Sequence, residues 1–468
     1  MAFLLIKNGQ IVTDSDSFPG DILIGDGKIQ AIGRELEKPD LKTQVLDASG
    51  LLIFPGGIDP HVHMELPVAG TVSSDDFESG TRAALAGGTT TIIDFVTPER
   101  GQPLLEALQG RKELAGKSVC DYGFHMSLTA WNETIRREME TCVREEGIPS
   151  FKVYLAYKET VGLEDRDLIA VMDTAARLGA LVTAHCEHGD LVTYLSKKLL
   201  AAGRTEPRSH ALSRPPEVER EAVVRALTFA KLTGAQLYIV HVSTKEAVRE
   251  IARAQAKGRP VFAETCPHYL LLDAREYDRS PAAAAAYIMS PPLRPPEHKA
   301  ALWDALKNGT LQTVGTDHCP FNLKGQKDRD LSDFTKIPNG VAGVENRLEL
   351  LFTAGVLRKH ISLRQFVRVT SANPAKIFGL FPRKGSVSVG ADADLVLWNP
   401  AAQEIISAET QKQRCDTTIY EGFKIRGKPE TVIAKGHIVF EKGEVTAERG
   451  AGRYLYRQKT NLLPSDLN

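Results

Sequence analysis

No segment of this sequence is apolar for long enough to cross a bilayer, which takes roughly 20 residues. The N-terminus offers only the short run at residues 2–6 before Lys7-Asn-Gly9, too short for the apolar core of a signal peptide. An excess of charge of either sign is missing too. Lys and Arg number 58 against 59 Asp and Glu, a formal net charge of -1. That balance excludes the basic face that nucleic acid requires and an acidic interaction tail. No short cysteine spacing recurs among Cys120, Cys142, Cys186, Cys266, Cys319 and Cys415. They read as buried free thiols of a reducing compartment, and the cytoplasm is expected. No internal repeat is present, and no Gly-x-Gly-x-x-Gly turn follows the first strand of the central region, which disfavours a doubly wound open sheet.

What the chain has is alternation. Its 468 residues suit one large domain and a smaller one, and 42% hydrophobic content is ordinary for a globular protein. Residues 1–53 read as all-β. Asp26-Gly27 between apolar runs marks a hairpin, and Asn8-Gly9 marks another. The far end, from about residue 393, repeats this style. A short β piece cannot bury a face alone. Residues 1–53 are therefore expected to join 384–468 in one small composite β-sandwich, with disorder in no more than the last dozen or so residues. Between them, over 54–383, a strand leading to His61 is followed by apolar runs at 89–95, 121–128, 151–157, 181–186, 237–242, 261–265 and 313–318. Helical patterns separate the runs, at 76–86, 104–114, 165–178, 217–232, 245–256 and 299–308. Residues 210–216 break a helical region, and 280–287 suit a short surface helical turn. Eight strands alternating with helices predict an α/β fold, a (β/α)8 TIM-like barrel.

The organising stretch is Phe54-Pro-Gly-Gly-Ile-Asp-Pro-His-Val-His63. Residues i and i+2 of an extended segment point the same way, so His61 and His63 are placed to grip one ion. Barrel enzymes carry their chemistry at the C-terminal ends of strands. Lys152 lies in the fourth strand, His185 late in the fifth, His241 late in the sixth and Asp317 late in the eighth. Four imidazoles and a carboxylate suit zinc, with manganese or iron as alternatives. The other eight histidines read as ordinary polar residues, with His268 a candidate for the layer behind the ligands. Lys152 sits among Phe151, Val153, Tyr154 and Leu155. A desolvated amine loses its proton more easily, and a neutral amine adds carbon dioxide to give an anionic carbamate able to bridge two cations. A lysine paired with a buried carboxylate fits the same pattern.

Several further motifs join these. They are Ala86-Gly-Gly-Thr-Thr-Thr91, Ser150-Phe-Lys-Val-Tyr-Leu-Ala-Tyr157, Thr183-Ala-His-Cys-Glu187, His241-Val-Ser243, Ser290-Pro-Pro-Leu-Arg294, Gly315-Thr-Asp-His-Cys319 and Ile337-Pro-Asn-Gly340. Together the set resembles the dihydropyrimidinases and D-hydantoinases, cyclic amidases of the amidohydrolase superfamily, over nearly the whole chain. The resemblance implies a barrel with a composite β-sandwich, assembled as a homotetramer or homodimer. It implies two zinc ions per subunit. His61 and His63 would hold one, His185 and His241 the other, carboxylated Lys152 would bridge them, and Asp317 would complete the first site. Tyr157 would donate to the oxyanion, and backbone groups of Ser290 and Asn339 would hold the ring.

The activity implied is hydrolysis of dihydrouracil, dihydrothymine or 5-substituted hydantoins to N-carbamoyl amino acids by a zinc-bridging hydroxide, with Asp317 carrying the proton. The small cyclic ureide is then the partner, with no nucleic acid and no membrane. Similar dihydroorotases and allantoinases carry arginine or asparagine just after His-x-His. This chain reads Met64-Glu-Leu-Pro67 there, which disfavours dihydroorotate and sets an apolar wall of Leu66, Pro67 and Val68. An allantoinase or another cyclic amidohydrolase is the enzymatic alternative. A non-catalytic scaffold is the other, disfavoured by the complete ligand set.

Overall fold

A computed structural model of the chain describes residues 3–467. Met1, Ala2 and Asn468 lie outside the described residues, and with them the start of the apolar run at 2–6. Among the described residues no helix is long and apolar enough to cross a membrane.

The N-terminal segment forms β1 (Phe3–Val12), β2 (Ser17–Gly25), β3 (Lys28–Gly33), β4 (Gln44–Asp47) and β5 (Leu52–Pro55). The barrel follows as β6 (Gly57–Val62), a small hairpin β7 (Pro67–Val68) and β8 (Thr71–Val72), then β9 (Thr89–Val96) and β10 (Asp121–Ser127). It continues with β11 (Ser150–Tyr154), β12 (Leu181–His185), β13 (Gln236–Ile239), β14 (Val261–Thr265) and β15 (Thr313–Val314). The chain ends in β16 (Leu395–Ile405), β17 (Lys424–Ala434), β18 (His437–Glu441) and β19 (Glu444–Val445).

The eight strands β6 and β9 to β15 pair in parallel, in chain order. The ring closes where Val62 bridges His318 and the His63 amide donates to the His318 carbonyl at 2.8 Å. Strands such as β9 and β12 are buried along their whole length, as expected when helices cover one face and a packed interior the other. The helix Asp165–Leu178 shows why the crossovers form. Leu168, Val171, Met172 and Ala175 repeat at helical spacing and are buried. Two aspartates occupy its first turn and Arg177 its last, and Gly179 ends it in the left-handed region at φ 66. Each fully buried Leu, Val or Met contributes about 1.5–3 kcal/mol.

The two chain ends share one sheet of nine strands, with β5 of the N-terminal segment paired antiparallel to β16 of the C-terminal one. The sheet curls on itself, because the Asp26-Gly27 turn meets the Lys435-Gly436 turn, where a side chain on Gly27 would press on the Lys435 carbonyl at 3.1 Å. The core between the layers draws Ile6, Ile24, Ile53, Leu395 and Ile433 from both ends of the chain.

Two expectations are corrected. Asn8-Gly9 is no hairpin: β1 runs straight through it with a bulge between Ile6 and Gly9. Asn8 takes the left-handed conformation at φ 63, its amide bonds Asp21 Oδ1 at 2.9 Å, and a Cβ on Gly9 would collide with Ile53. The glycine serves a close approach, not a turn. The final dozen residues, as far as Leu467, are packed against the barrel. Arg457 is buried and donates to Ser150 Oγ at 2.8 Å and to the Phe124 carbonyl, and Leu467 is buried as well.

Candidate metal centre

The C-terminal ends of the barrel strands open into a cavity of about 700 Å³. His61, His63, Lys152, His185, His241 and Asp317 all line it, with Tyr157, Ser290 and Asn339. The positions singled out in the sequence therefore meet in one place. His61 and His63 stand at and just past the end of β6. His185 ends β12, and His241 and Asp317 follow the ends of β13 and β15.

Two groups of nitrogens and oxygens form within it. One carboxylate oxygen of Asp317 lies 3.1 Å from His61 Nε2 and 3.2 Å from His63 Nε2. These three residues could hold a metal ion. Across the cavity His185 Nδ1 faces His241 Nε2 at 2.9 Å. The two groups are adjacent, since the His61 and His241 rings stack at 5.5 Å between centroids.

Lys152 enters between them on β11. It is buried, and its amine lies over the rings of Phe95 at 4.7 Å and Tyr154 at 5.1 Å. No carboxylate lies within ion-pair distance of it among the described residues. Burial draws the amine down to about 8, well under the usual lysine value, and draws His63 down to about 4. The ordinary alternative of a salt-bridged lysine does not describe this side chain.

The backbone around the cavity is strained where the candidates sit. Tyr157, His241 and Asp317 hold φ values of 57, 39 and 52. Non-glycine residues in that region cost about 1–3 kcal/mol each and persist where the surroundings over-determine them.

Carboxylates that carried no assignment in the sequence orient the imidazoles. Glu264 Oε1 bonds His61 Nδ1, and its Oε2 accepts from Tyr238 Oη at 2.8 Å. Glu187 Oε2 lies 3.0 Å from His185 Nε2 and 2.6 Å from Arg214 Nη1. Burial alone would raise Glu187, but Arg214 and His185 hold it at about 2. A carboxylate behind a ring nitrogen fixes that nitrogen as the donor and leaves the other as a lone pair facing the cavity. Spacing held a signal for Glu187, two residues past His185 on the same extended segment. For Glu264 the signal was an acid near the end of a buried strand.

The other histidines separate cleanly. His318 bonds Asp75 at 3.1 Å and accepts from the Gly343 amide at 3.0 Å, and His125 bonds Ser150 Oγ and the Pro60 carbonyl. His268 is buried with neither ring nitrogen partnered, and it stays outside the cavity lining.

The donor set fits divalent cations. His61 Nε2 is buried without a hydrogen bond, and imidazole nitrogens beside an anionic carboxylate are suitable ligands. Tyr157 stands next to this cluster, its ring 5.4 Å from that of His185. Burial raises its phenol above the usual tyrosine value, so the hydroxyl stays a donor at neutral pH. Ser290 Oγ and Asn339 Oδ1 are buried and unpartnered at the other wall. Leu66, Pro67, Val68 and Val72 of the β7–β8 hairpin line the rim.

Comparison with known proteins agrees with this geometry. The model of the Amidohydrolase family matches residues 52–439. A D-hydantoinase of Geobacillus stearothermophilus is 48% identical, over 99% of this chain and 98% of its own. A dihydropyrimidinase of Rattus norvegicus is 42% identical, over 97% of this chain and 89% of its own. The crystal structure of dihydropyrimidinase from Brevibacillus agri NCHU1002 superposes with a TM-score of 0.97 at 46% identity, covering 98% of this chain and 100% of that one. With a family match across most of its length and full-length relatives above 40% identity, the chain belongs to the amidohydrolase family.

Proposed function

We propose that this protein hydrolyses the cyclic amide bond of dihydropyrimidines, 5-substituted hydantoins or both, giving N-carbamoyl amino acids. The observation that carries the reading is the meeting of four histidines, Lys152 and Asp317 beneath a cavity walled by Tyr157, Ser290 and Asn339. Relatives named D-hydantoinase and dihydropyrimidinase, similar from end to end, support the ring class.

His61, His63 and Asp317 would hold one divalent cation and His185 and His241 a second, with zinc the metal best suited to nitrogen donors and manganese or iron(II) as alternatives. Lys152, as its carbamate, would supply the anion that bridges them. When bound, such ions supply a water of lowered pKa, about 7 on zinc, and polarise a carbonyl.

The residues of the chain do the rest. Asp317 takes the proton of the attacking water and returns it to the departing ring nitrogen. The Tyr157 hydroxyl donates to the oxygen of the tetrahedral intermediate as its charge develops. Backbone groups at Ser290 and Asn339 suit a ring edge that alternates N–H and C=O. Leu66, Pro67 and Val68 face the substituent at ring position 5 and keep bulk water from it. An arginine that would pair a substrate carboxylate is missing after His63, which favours these rings over dihydroorotate.

The assembly fits a homotetramer or homodimer. In the helix Gly189–Ala201 only Gly189 is buried among the described residues, while Leu191 and Tyr194 are 38% and 61% exposed. Six free cysteines suit a reducing cytoplasm. The same reading makes 54–383 the catalytic barrel and 1–53 with 384–468 the β unit that braces it.

A panel of dihydrouracil, 5-substituted hydantoin, allantoin and dihydroorotate tests the function, with metal counted in the same preparation. Turnover of the first two is expected, and turnover of allantoin alone would overturn the ring assignment. Lys152→Ala should lose most metal and activity together. A variant that kept two metals per chain and its full rate would remove the bridging role.

A further inference from the structure

Two adjacent side chains in one turn grip opposite walls of the substrate cavity. The turn is Leu323–Lys327, and Gly325 within it has φ 82. Lys327 is 1% exposed. Its Nζ donates to the Ile288 carbonyl at 2.8 Å and to the Pro338 carbonyl at 3.1 Å. Those carbonyls lie two residues before Ser290 and one before Asn339. The Gly340 amide also donates to the Ile288 carbonyl, at 3.0 Å. A single buried ammonium thus fastens together the two loops that carry the polar wall.

Gln326 points the other way. Its Nε2 donates to Thr71 Oγ1 at 2.7 Å and to the Val72 carbonyl at 2.9 Å, both on the β7–β8 hairpin that forms the apolar rim. Its Oε1 accepts from the Asn322 amide at 2.7 Å, which locks the side chain against its own turn. The turn is itself anchored from outside the barrel. The Asp416 carboxylate accepts from the Leu323 amide at 2.6 Å and the Lys324 amide at 3.0 Å.

We propose that Leu323–Lys327 is the positioning element of this cavity, in which Lys327 sets the placement of the ring-holding loops and Gln326 sets the rim that meets the ring substituent. The proposal rests on the cyclic amidase reading. Lys327 is a costly way to join two loops. No carboxylate pairs with it among the described residues, and burial pulls its amine to about 7. An apolar side chain would fill the space without that penalty, but it would hold neither carbonyl. Because the two grips are adjacent on one rigid turn, the gap between polar and apolar walls is fixed by a single local geometry.

The two residues should therefore move different kinetic quantities. The test measures kcat and KM for an unsubstituted dihydropyrimidine and a 5-aryl hydantoin, with metal content and melting temperature, in the metal-loaded protein. Lys327→Met is expected to raise KM for both rings at least tenfold, with metal content unchanged. Gln326→Ala is expected to change the ratio of the two kcat/KM values at least threefold, with metal content unchanged. If Lys327→Met does not fold, Lys327→Gln, which keeps two N–H donors on a shorter side chain, is measured instead and should raise both KM values by a smaller factor. Unchanged KM values in the lysine variant, or an unchanged ratio in Gln326→Ala, overturn the positioning role. So does a variant that only lowers the melting temperature. Wild-type protein that turns over neither ring brings down the cyclic amidase reading itself. Active wild type with unaffected variants brings down only the role of the turn.

Discussion

His185 Nδ1 and His241 Nε2 face each other at 2.9 Å across the mouth of the barrel. With Glu187 accepting from His185 Nε2, Nδ1 of that ring is a lone pair. His241 Nδ1 is buried without a partner. Two imidazole nitrogens that face each other this closely are the arrangement a shared cation stabilises. His241→Ala should therefore remove one metal per chain and leave the His61, His63 and Asp317 site filled. Elemental analysis of the purified variant reads this directly. Retention of both metals would show that this pair is not a ligand pair.

The carboxylate behind His61 gives a second prediction. Glu264 is itself held by Tyr238, which reaches Thr313 Oγ1 at 2.5 Å, so its position is fixed from two sides. Glu264→Gln keeps the shape but weakens its hold on His61 Nδ1. Such supporting residues are worth about 10–100-fold in metal affinity. Competition with a chelator should show that loss with the melting temperature of the metal-free protein little changed. Equal affinity in the variant would reduce Glu264 to a packing role.

Tyr157 supplies the third. Its hydroxyl is kept protonated by burial, and its φ of 57 holds the ring over the histidine cluster. On the proposed mechanism, Tyr157→Phe would remove one donor from the developing oxyanion and leave the candidate metal ligands in place. The expected loss in kcat is about 10²–10³-fold, or about 2.7–4 kcal/mol, with metal content intact. A rise confined to KM would move Tyr157 from transition-state stabilisation to ground-state binding.

The strands and most helices were legible because their signal is local. β9 and β12 are short segments rich in β-branched and apolar residues, buried throughout, and the helix Asp165–Leu178 begins and ends where its charges and glycine predict. The ligand candidates were legible because histidines at strand ends fall in a pattern that barrel topology turns into proximity. What could not be read is carried by long-range contact. Residues 210–216 look like a helix breaker, and the break does separate the helices Arg208–Leu212 and Pro216–Thr233. Nothing in that stretch says that Arg214 turns inward to pair with Glu187, or that His210 Nε2 bonds the Met289 carbonyl beside Ser290 at 2.8 Å. Asn8-Gly9 misled for the opposite reason. The same left-handed preference that makes a tight turn also makes a bulge, and only the neighbour Ile53 decides between them.

The last prediction concerns the junction between sheet and barrel. Lys384 is buried, and its Nζ reaches Asp121 Oδ2 of β10 at 2.7 Å, Asp394 Oδ2 at 2.6 Å and Asp392 Oδ2 at 3.1 Å. Lys435 joins Asp121 from the β17–β18 turn at 2.8 Å. Burial works against the Lys384 charge, yet the three carboxylates hold its ammonium above the ordinary lysine value. Burial would likewise raise Asp121, but Lys384 and Lys435 hold it below its ordinary value. Lys384→Met would leave these acids clustered beside a methionine, and breaking such a pair costs about 3–5 kcal/mol. The sign of its pH dependence follows from the Lys384 and Asp121 shifts, against which Asp394, raised by burial, works in part. The lysine contribution is complete below the ordinary lysine pKa and fades only as pH rises through the raised value. The Asp121 contribution is present above the ordinary carboxylate range and is lost as pH falls through the lowered value. Urea unfolding of wild type and variant should therefore differ by a constant amount between about pH 6 and pH 9, and the gap should narrow below about pH 4. A gap that narrowed at neutral pH instead would mean that the cluster titrates in the physiological range and is no permanent brace.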